Sequence, residues 1–417
     1  MPNFSIPLSG LTADATALSA IANNLANQNT TGYKSVRVLF RDVFYQNFGT
    51  TGSGDPIQLG AGTQVGSLPG QFTQGTVQTT GVATDVAIQG GGFFAVQDAS
   101  GISYTRDGTF SVDKNNFLVT TAGQLVLGYP AINGVITPGV GLSSLQLGAG
   151  TISPPSATSS VQLTSNLNAS AAVGDIFSTP ITVFDSLGTS HVLTFTFTKT
   201  GAGAWDYALS LPPGDFTPAV VVPPTPAGQV ATGTLTFDAN GNLTNPAADV
   251  TGITIPTLSD GASNLTFDWK LFNGTNSLLT QVAGPSSTSA TQQDGGSSGA
   301  LVTFTIGADG TVSGSFSNGK TAALGQIALA SFADLQGLQR NGNNDFTETL
   351  ASGQAVVGTA GTGGRGSLSG GGLELSNVDI ATEFANLIVA QRAFEANAKA
   401  VTTFDQITQD TINLKQG

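Results

Sequence analysis

Apolar residues recur at heptad spacing near both ends of this chain and not between them. Leu8, Leu11, Ala15, Leu18, Ala22 and Leu25 follow a 3,4,3,4,3 spacing, which places them on one stripe of an α-helix. Ile380, Phe384, Leu387, Phe394, Ala398 and Val401 form a second stripe, with Gln391 as a polar break and a phase slip at Phe404, Ile407 and Leu414. Ser376-Asn377-Val378-Asp379 fits a helix start, and a helix from there to the end would span on the order of 50–60 Å. Glu395 precedes Lys399 by four residues, the favoured order for a helical ion pair. Gly10 interrupts the first stripe at about 1 kcal/mol relative to Ala, and Gly32 lies past its end, where a left-handed turn costs little. Helices of this size are marginal alone in water, and neither has much local sequence to build a core from. They are expected to pair with each other antiparallel, and with copies from neighbouring subunits.

Between the stripes the period changes to two. Leu265-Thr266-Phe267-Asp268-Trp269-Lys270-Leu271 and Leu193-Thr194-Phe195-Thr196-Phe197 alternate. Turn signals recur at Asn115-Asn116, Asn240-Gly241 and Asp309-Gly310. The pattern predicts a mainly β chain with terminal α-helices, its antiparallel β domains nested one inside the other. Composition shifts place the boundaries. Residues 1–34 and 373–417 form the helical part, 35–70 and 358–372 connecting segments, 71–150 and 301–357 an inner β domain, and 151–300 an outer β domain. The outer stretch carries nine aspartates against two lysines, a net −7.

Charge excludes several functions. The chain is 417 residues long with a net charge of −13, so it lacks the basic face that nucleic acid requires. Only 9% of its residues are charged, against about 25% in an ordinary domain. Such a surface packs against copies of itself without desolvating many ions, though a secreted monomer would also suit it. There is no cysteine and one histidine, His191, which removes disulfides, thiol chemistry and Cys-type or multi-His metal sites. No apolar run approaches the ~18 residues of a membrane helix. The first basic residue is Lys34, so the start does not read as a cleaved secretory signal.

Local matches to catalytic motifs fail in context. Gly361-Thr362-Gly363-Gly364-Arg365-Gly366 fits a dinucleotide fingerprint, but Ser-Leu-Ser-Gly-Gly-Gly follows where a helix must begin. Gly295-Gly296-Ser297-Ser298-Gly299 lies in low-complexity sequence rather than at a strand-to-helix elbow. Asp238-Ala239-Asn240-Gly241-Asn242 starts like a calcium loop but has Leu243 where the sharp turn needs glycine. His191 leaves a turn and enters a strand. No catalytic, cofactor or metal residue is expected.

Four segments resemble bacterial flagellar axial proteins, the rod and hook family. They are Asn23-Asn24-Leu25-Ala26-Asn27 with Thr30, Gly32, Tyr33 and Lys34; Gly90-Gly91-Gly92-Phe93-Phe94-Ala95-Val96; Tyr104-Thr105-Arg106-Asp107-Gly108-Thr109-Phe110 with Leu118-Val119-Thr120; and Leu373-Glu374, Ser376-Asn377-Val378-Asp379, Glu383 and Gln391-Arg392-Ala393-Phe394-x-Ala396-Asn397. Val183-Phe184-Asp185-Ser186-Leu187-Gly188, His191 and Trp205 resemble the outer domain of the family's hook members; rod members are much shorter. One departure is Asn115-Asn116, where the family usually has Asn-Gly.

The resemblance implies a non-enzymatic hook subunit without a cofactor. It would polymerise with itself into a flexible tube, a universal joint carrying torque from rod to filament. It also implies type III export without signal cleavage, an extracellular place in the flagellum, and contacts with the distal rod protein, the hook cap and the hook–filament junction protein. Membrane insertion is not expected. A distal rod protein of the same family, a secreted adhesin or surface-layer protein, and a secreted carbohydrate-active enzyme are the alternatives.

In this reading Leu8, Leu11, Leu18, Leu25, Ile380, Phe384, Leu387, Phe394, Ala398 and Val401 are the polymerising residues. Their helices are expected to stay largely disordered until neighbours cover them. Asn23, Asn24 and Asn27 either bond between chains, fixing register, or cap the helix end locally. Gly32, Gly361, Gly363, Gly364 and Gly366 are turn or hinge positions, and the glycine-rich connectors 49–70 and 358–372 are either hinges or ordered loops.

Overall fold

The computed structural model describes residues 5–132, 134–139, 141–147, 152–216, 228–256 and 258–416; the side chains of 46–48 and 415–416 are not included. The expected boundary at 150–151 lies outside the described residues. The chain divides into two compact units. One holds the stretch up to Thr151, Thr303–Gly314 and Thr321 onward; the other holds Ile152–Val302 and Ser315–Lys320.

In the first unit, strand Phe93–Asp98 pairs with Gly101–Thr105, Leu125–Ile132 and Thr321–Ser331. Phe94 and Val96 enter one apolar cluster, Phe93 and Ala95 another on the opposite face. Both faces are covered over Phe93–Val96, so that stretch is apolar throughout instead of alternating. The same unit contains two helices, α1 (Ser5–Ala26) and α2 (Ile380–Gln416). The 37 residues of α2 extend about 55 Å.

The second unit is built on two five-stranded sheets. Strand Ser190–Gly201 turns Leu193, Phe195 and Phe197 inward, and Leu265–Lys270 does so with Leu265, Phe267 and Trp269. Trp205 and Trp269 are both fully buried in this core. Asn240-Gly241 forms a hairpin turn, with Gly241 at φ 82° and Asp238 Oδ1 accepting from the N–H groups of Asn240 and Asn242. Two pairings depart from the antiparallel expectation: Ser160–Asn166 runs parallel to Leu265–Lys270 and to Leu279–Thr280. The long connection from Ser160–Asn166 to these strands contains the whole of the other sheet, which gives the chain length a parallel crossover requires.

Several local expectations are corrected. The helix cap is Asp379, whose Oδ1 accepts from Thr382 N–H at 3.1 Å; Ser376 only turns the approach. Glu395 pairs with Arg392 at 3.1 Å instead of Lys399. The connecting segments are paired strands. Leu39–Asp42 with Thr63–Ser67, and Tyr45–Thr50 with Pro56–Gly60, form a ribbon held to α1 by Thr63 N–H donating to Ser9 Oγ. Val356–Thr359 and Ser367–Gly370 join neighbouring strands, and Arg365 ties the turn between them through Thr359 O and Thr362 Oγ1. Gly361, Gly363 and Gly364 supply the positive φ of that turn; Gly366 is held by its N–H donating to Gly91 O.

Candidate assembly surface

The two helices lie antiparallel: Asn24 meets Glu383, while Asp14 and Gly10 meet Asn397. The face of α1 that is buried in this contact and at the helix ends is small, comprising Pro7, Gly10, Ala13, Ala17 and Asn24. A Cβ on Gly10 would stand 2.7 Å from Asn397 Nδ2. Glycine here serves close approach, and Asn397 uses that space to donate to Asp14 Oδ2 at 2.8 Å.

On α2 the inward row is Glu383, Leu387, Ala390, Phe394, Asn397, Val401, Phe404 and Thr408, of which only Ala390 is fully buried. The 4,3,4,3 spacing of this row runs through Phe404 without a slip. The expected stutter arises from including Phe384, Gln391 and Ala398, which lie one position off the row.

The leucine stripe is therefore not what joins the pair. Leu8 is 55% exposed, and Leu11, Leu18 and Leu25 are half-buried. On α2, Ile380 and Phe384 are exposed, and Leu387, Phe394, Ala398 and Val401 are half-buried. Ile388, Val389, Ile412 and Leu414 also stand in the open, Val389 at 69% and Leu414 at 83%. Exposed apolar side chains in this number on one helix pair point to an interaction site.

Below the helices, segments distant in sequence meet at one buried ionic junction. Glu374 Oε1 accepts from Lys34 Nζ at 2.7 Å and from Gly75 N–H at 2.8 Å; Glu374 Oε2 accepts from Arg106 Nε at 2.6 Å. All three side chains are nearly or wholly inaccessible. Burial lowers the Lys34 pKa, and Glu374 opposes that shift. The surplus positive charge is spread over carbonyls: Lys34 donates to Thr73 O, and Arg106 to Gly92 O and Gly90 O. Gly32 sits here at φ 68°, its N–H donating to Glu374 O, and a Cβ would stand 2.7 Å from the Arg106 backbone. Asn377 closes the junction, accepting from Ser35 N–H and donating to Gln71 O. These residues stand within the sequence motifs, but the sequence reading assigned only Gly32 a place.

The asparagines bond within the chain. Asn24, 1% exposed, donates to Val36 O and Glu383 Oε1 and accepts from Val36 N–H and Tyr33 Oη–H. Both amide hydrogens and both lone pairs are then used within the chain. Asn23 donates to Tyr33 Oη, and Asn27 to Asn23 O at 2.9 Å as a local cap.

Family models match along the chain: "Flagella basal body rod protein" over residues 6–34, "Flagellar hook protein FlgE/F/G D1 domain" over 87–166, "Flagellar basal body protein FlaE D2 domain" over 156–295, and "Flagellar basal body rod FlgEFG protein C-terminal" over 369–414. The chain is 37% identical to the flagellar hook protein FlgE of Escherichia coli over 99% of this chain and 100% of that one. It is 36% identical to that of Salmonella typhimurium over 99% and 100%, and 33% identical to that of Treponema pallidum over 98% of each.

Proposed function

This chain belongs to the flagellar hook protein FlgE family, and from that premise we propose that it is the repeating structural subunit of a flagellar hook. Copies polymerise helically into a flexible tube that carries motor torque from rod to filament. Its role is structural rather than catalytic. The observation that carries this reading is the set of exposed apolar side chains on the helix pair, Leu8 on α1 and Ile380, Phe384, Ile388 and Val389 on α2. A contact between that surface and a different face of the next copy does not close on itself, and so generates a helical tube rather than a ring.

The finer parts of the reading follow from family membership. The tube ends would contact the distal rod protein, the hook cap and the hook–filament junction protein, and the subunit would reach the cell exterior by type III export without cleavage. The helical part would form the innermost layer of the tube. Bending would come from sliding between the charge-poor outer domains, since the glycine turn at 361–366 is tied by Arg365. Deleting residues 1–30 should leave a soluble, β-rich chain that forms no tubes in electron micrographs of concentrated protein. Normal tubes from that truncation would overturn the reading.

A further inference from the structure

The single histidine of the chain belongs to the second unit. His191 opens strand Ser190–Gly201 and is 5% exposed. Its Nδ1 lies 3.0 Å from Asp215 Oδ2 and its Nε2 3.1 Å from Asp185 Oδ2. Carboxylate oxygens accept, so an imidazole bonded to both must donate from both nitrogens, which only the protonated ring does. Asp260 completes the cluster, with its carboxylate near the same atoms. Among the described residues, no lysine or arginine pairs with any of these three carboxylates.

Each carboxylate belongs to a different segment. Asp185 caps the turn before the strand, its Oδ1 accepting from Leu187 and Thr189 N–H. Asp215 ends a short 3-10 turn, and its carbonyl accepts from Ser259 N–H. Asp260 shapes the turn at Ala262, beside the bond from Ser263 N–H to Ser186 Oγ. We propose that His191 is a proton-held clamp, fastening these three segments at one end of the outer unit while it is charged and releasing them when it loses its proton in alkaline surroundings.

Burial alone would lower the His191 pKa; the bonds and charges of Asp185 and Asp215 outweigh that and raise it. Burial would raise the Asp185 pKa; its bonds with Asp260 and His191 and from the Thr189 and Leu187 N–H groups outweigh that and pull it down to about 2. A histidine with a raised folded pKa stabilises fully below its unfolded value of ~6.5 and ceases to do so as pH rises through the folded value. Below that range the clamp stays closed until the carboxylates themselves protonate.

Because the chain has one histidine, imidazole NMR on the full-length protein gives one assignable titration. The midpoint should lie above ~6.5, and Asp215→Asn should lower it. Amide protection factors at 187–189 and 258–262 should fall about tenfold for each pH unit between ~6.5 and the folded midpoint and level off above it, and should be flat with pH in His191→Gln. A midpoint at or below ~6.5 overturns the clamp, even if His191→Gln fails to fold. So does an equal alkaline loss in His191→Gln, or opening at neutral pH caused by EDTA alone, which would make the cluster cation-held.

Discussion

Glu374 is the residue on which the base of the helix pair depends. It is a buried carboxylate holding Lys34 and Arg106, 340 and 268 positions away in sequence. Removing one partner of a buried ion group leaves the others uncompensated, at about 3–5 kcal/mol. Glu374→Gln keeps the shape and one acceptor oxygen but removes the charge, so its urea midpoint should fall by that order; an unchanged midpoint would show that the surrounding carbonyls satisfy both cations unaided. None of this pairing was legible in the sequence. Lys34, Arg106 and Glu374 could each be read as a motif position, but charge partners set by long-range folding leave no local period. Gly32 was legible as a left-handed turn, because φ preference is a property of the residue itself. That its missing Cβ also admits the Arg106 backbone was not.

The two helices were legible as elements and their antiparallel pairing was anticipated, but the faces they use were not. Periodicity lists residues that share a stripe; it does not say which stripe meets which neighbour. Approach distance decides that, and Gly10, Ala13 and Ala17 let the helices come close on a face that hydropathy ranks second. The larger leucine stripe is consequently freed for other copies. Leu8→Glu and Ile388→Glu test this division. Both side chains are exposed, so the stability of the single chain should change by no more than about 0.5 kcal/mol, while tube formation should be lost. Thermal unfolding and electron microscopy of the same samples check it, and tubes from both variants would assign assembly to another surface. Proline at Gly361, Gly363 or Gly364 would oppose a positive φ, so it would disrupt the turn rather than stiffen a hinge.

At the scale of the molecule, two compact units carry separate cores, and separate cores unfold as separate transitions unless tightly coupled. Both tryptophans of the chain, Trp205 and Trp269, lie in the outer core. Tryptophan fluorescence should therefore report the outer unit alone, and far-UV circular dichroism both. Glu374→Gln should lower a circular-dichroism transition and leave the fluorescence midpoint in place; a shared shift would show that the units unfold together. The sequence by itself determined the helical ends, the alternating strands between them, the turn positions and the absence of multi-cysteine or multi-histidine chemistry. Those follow from side-chain period, backbone preference and composition, which are local. Only the tertiary structure decided that α1 meets α2 through its small residues, that Asn24 and Glu374 bond inside the chain, and that His191 lies between two aspartates. Each of these depends on which distant segments share a volume, and burial converts such proximity into strong hydrogen bonds and ion pairs that no short window of sequence encodes.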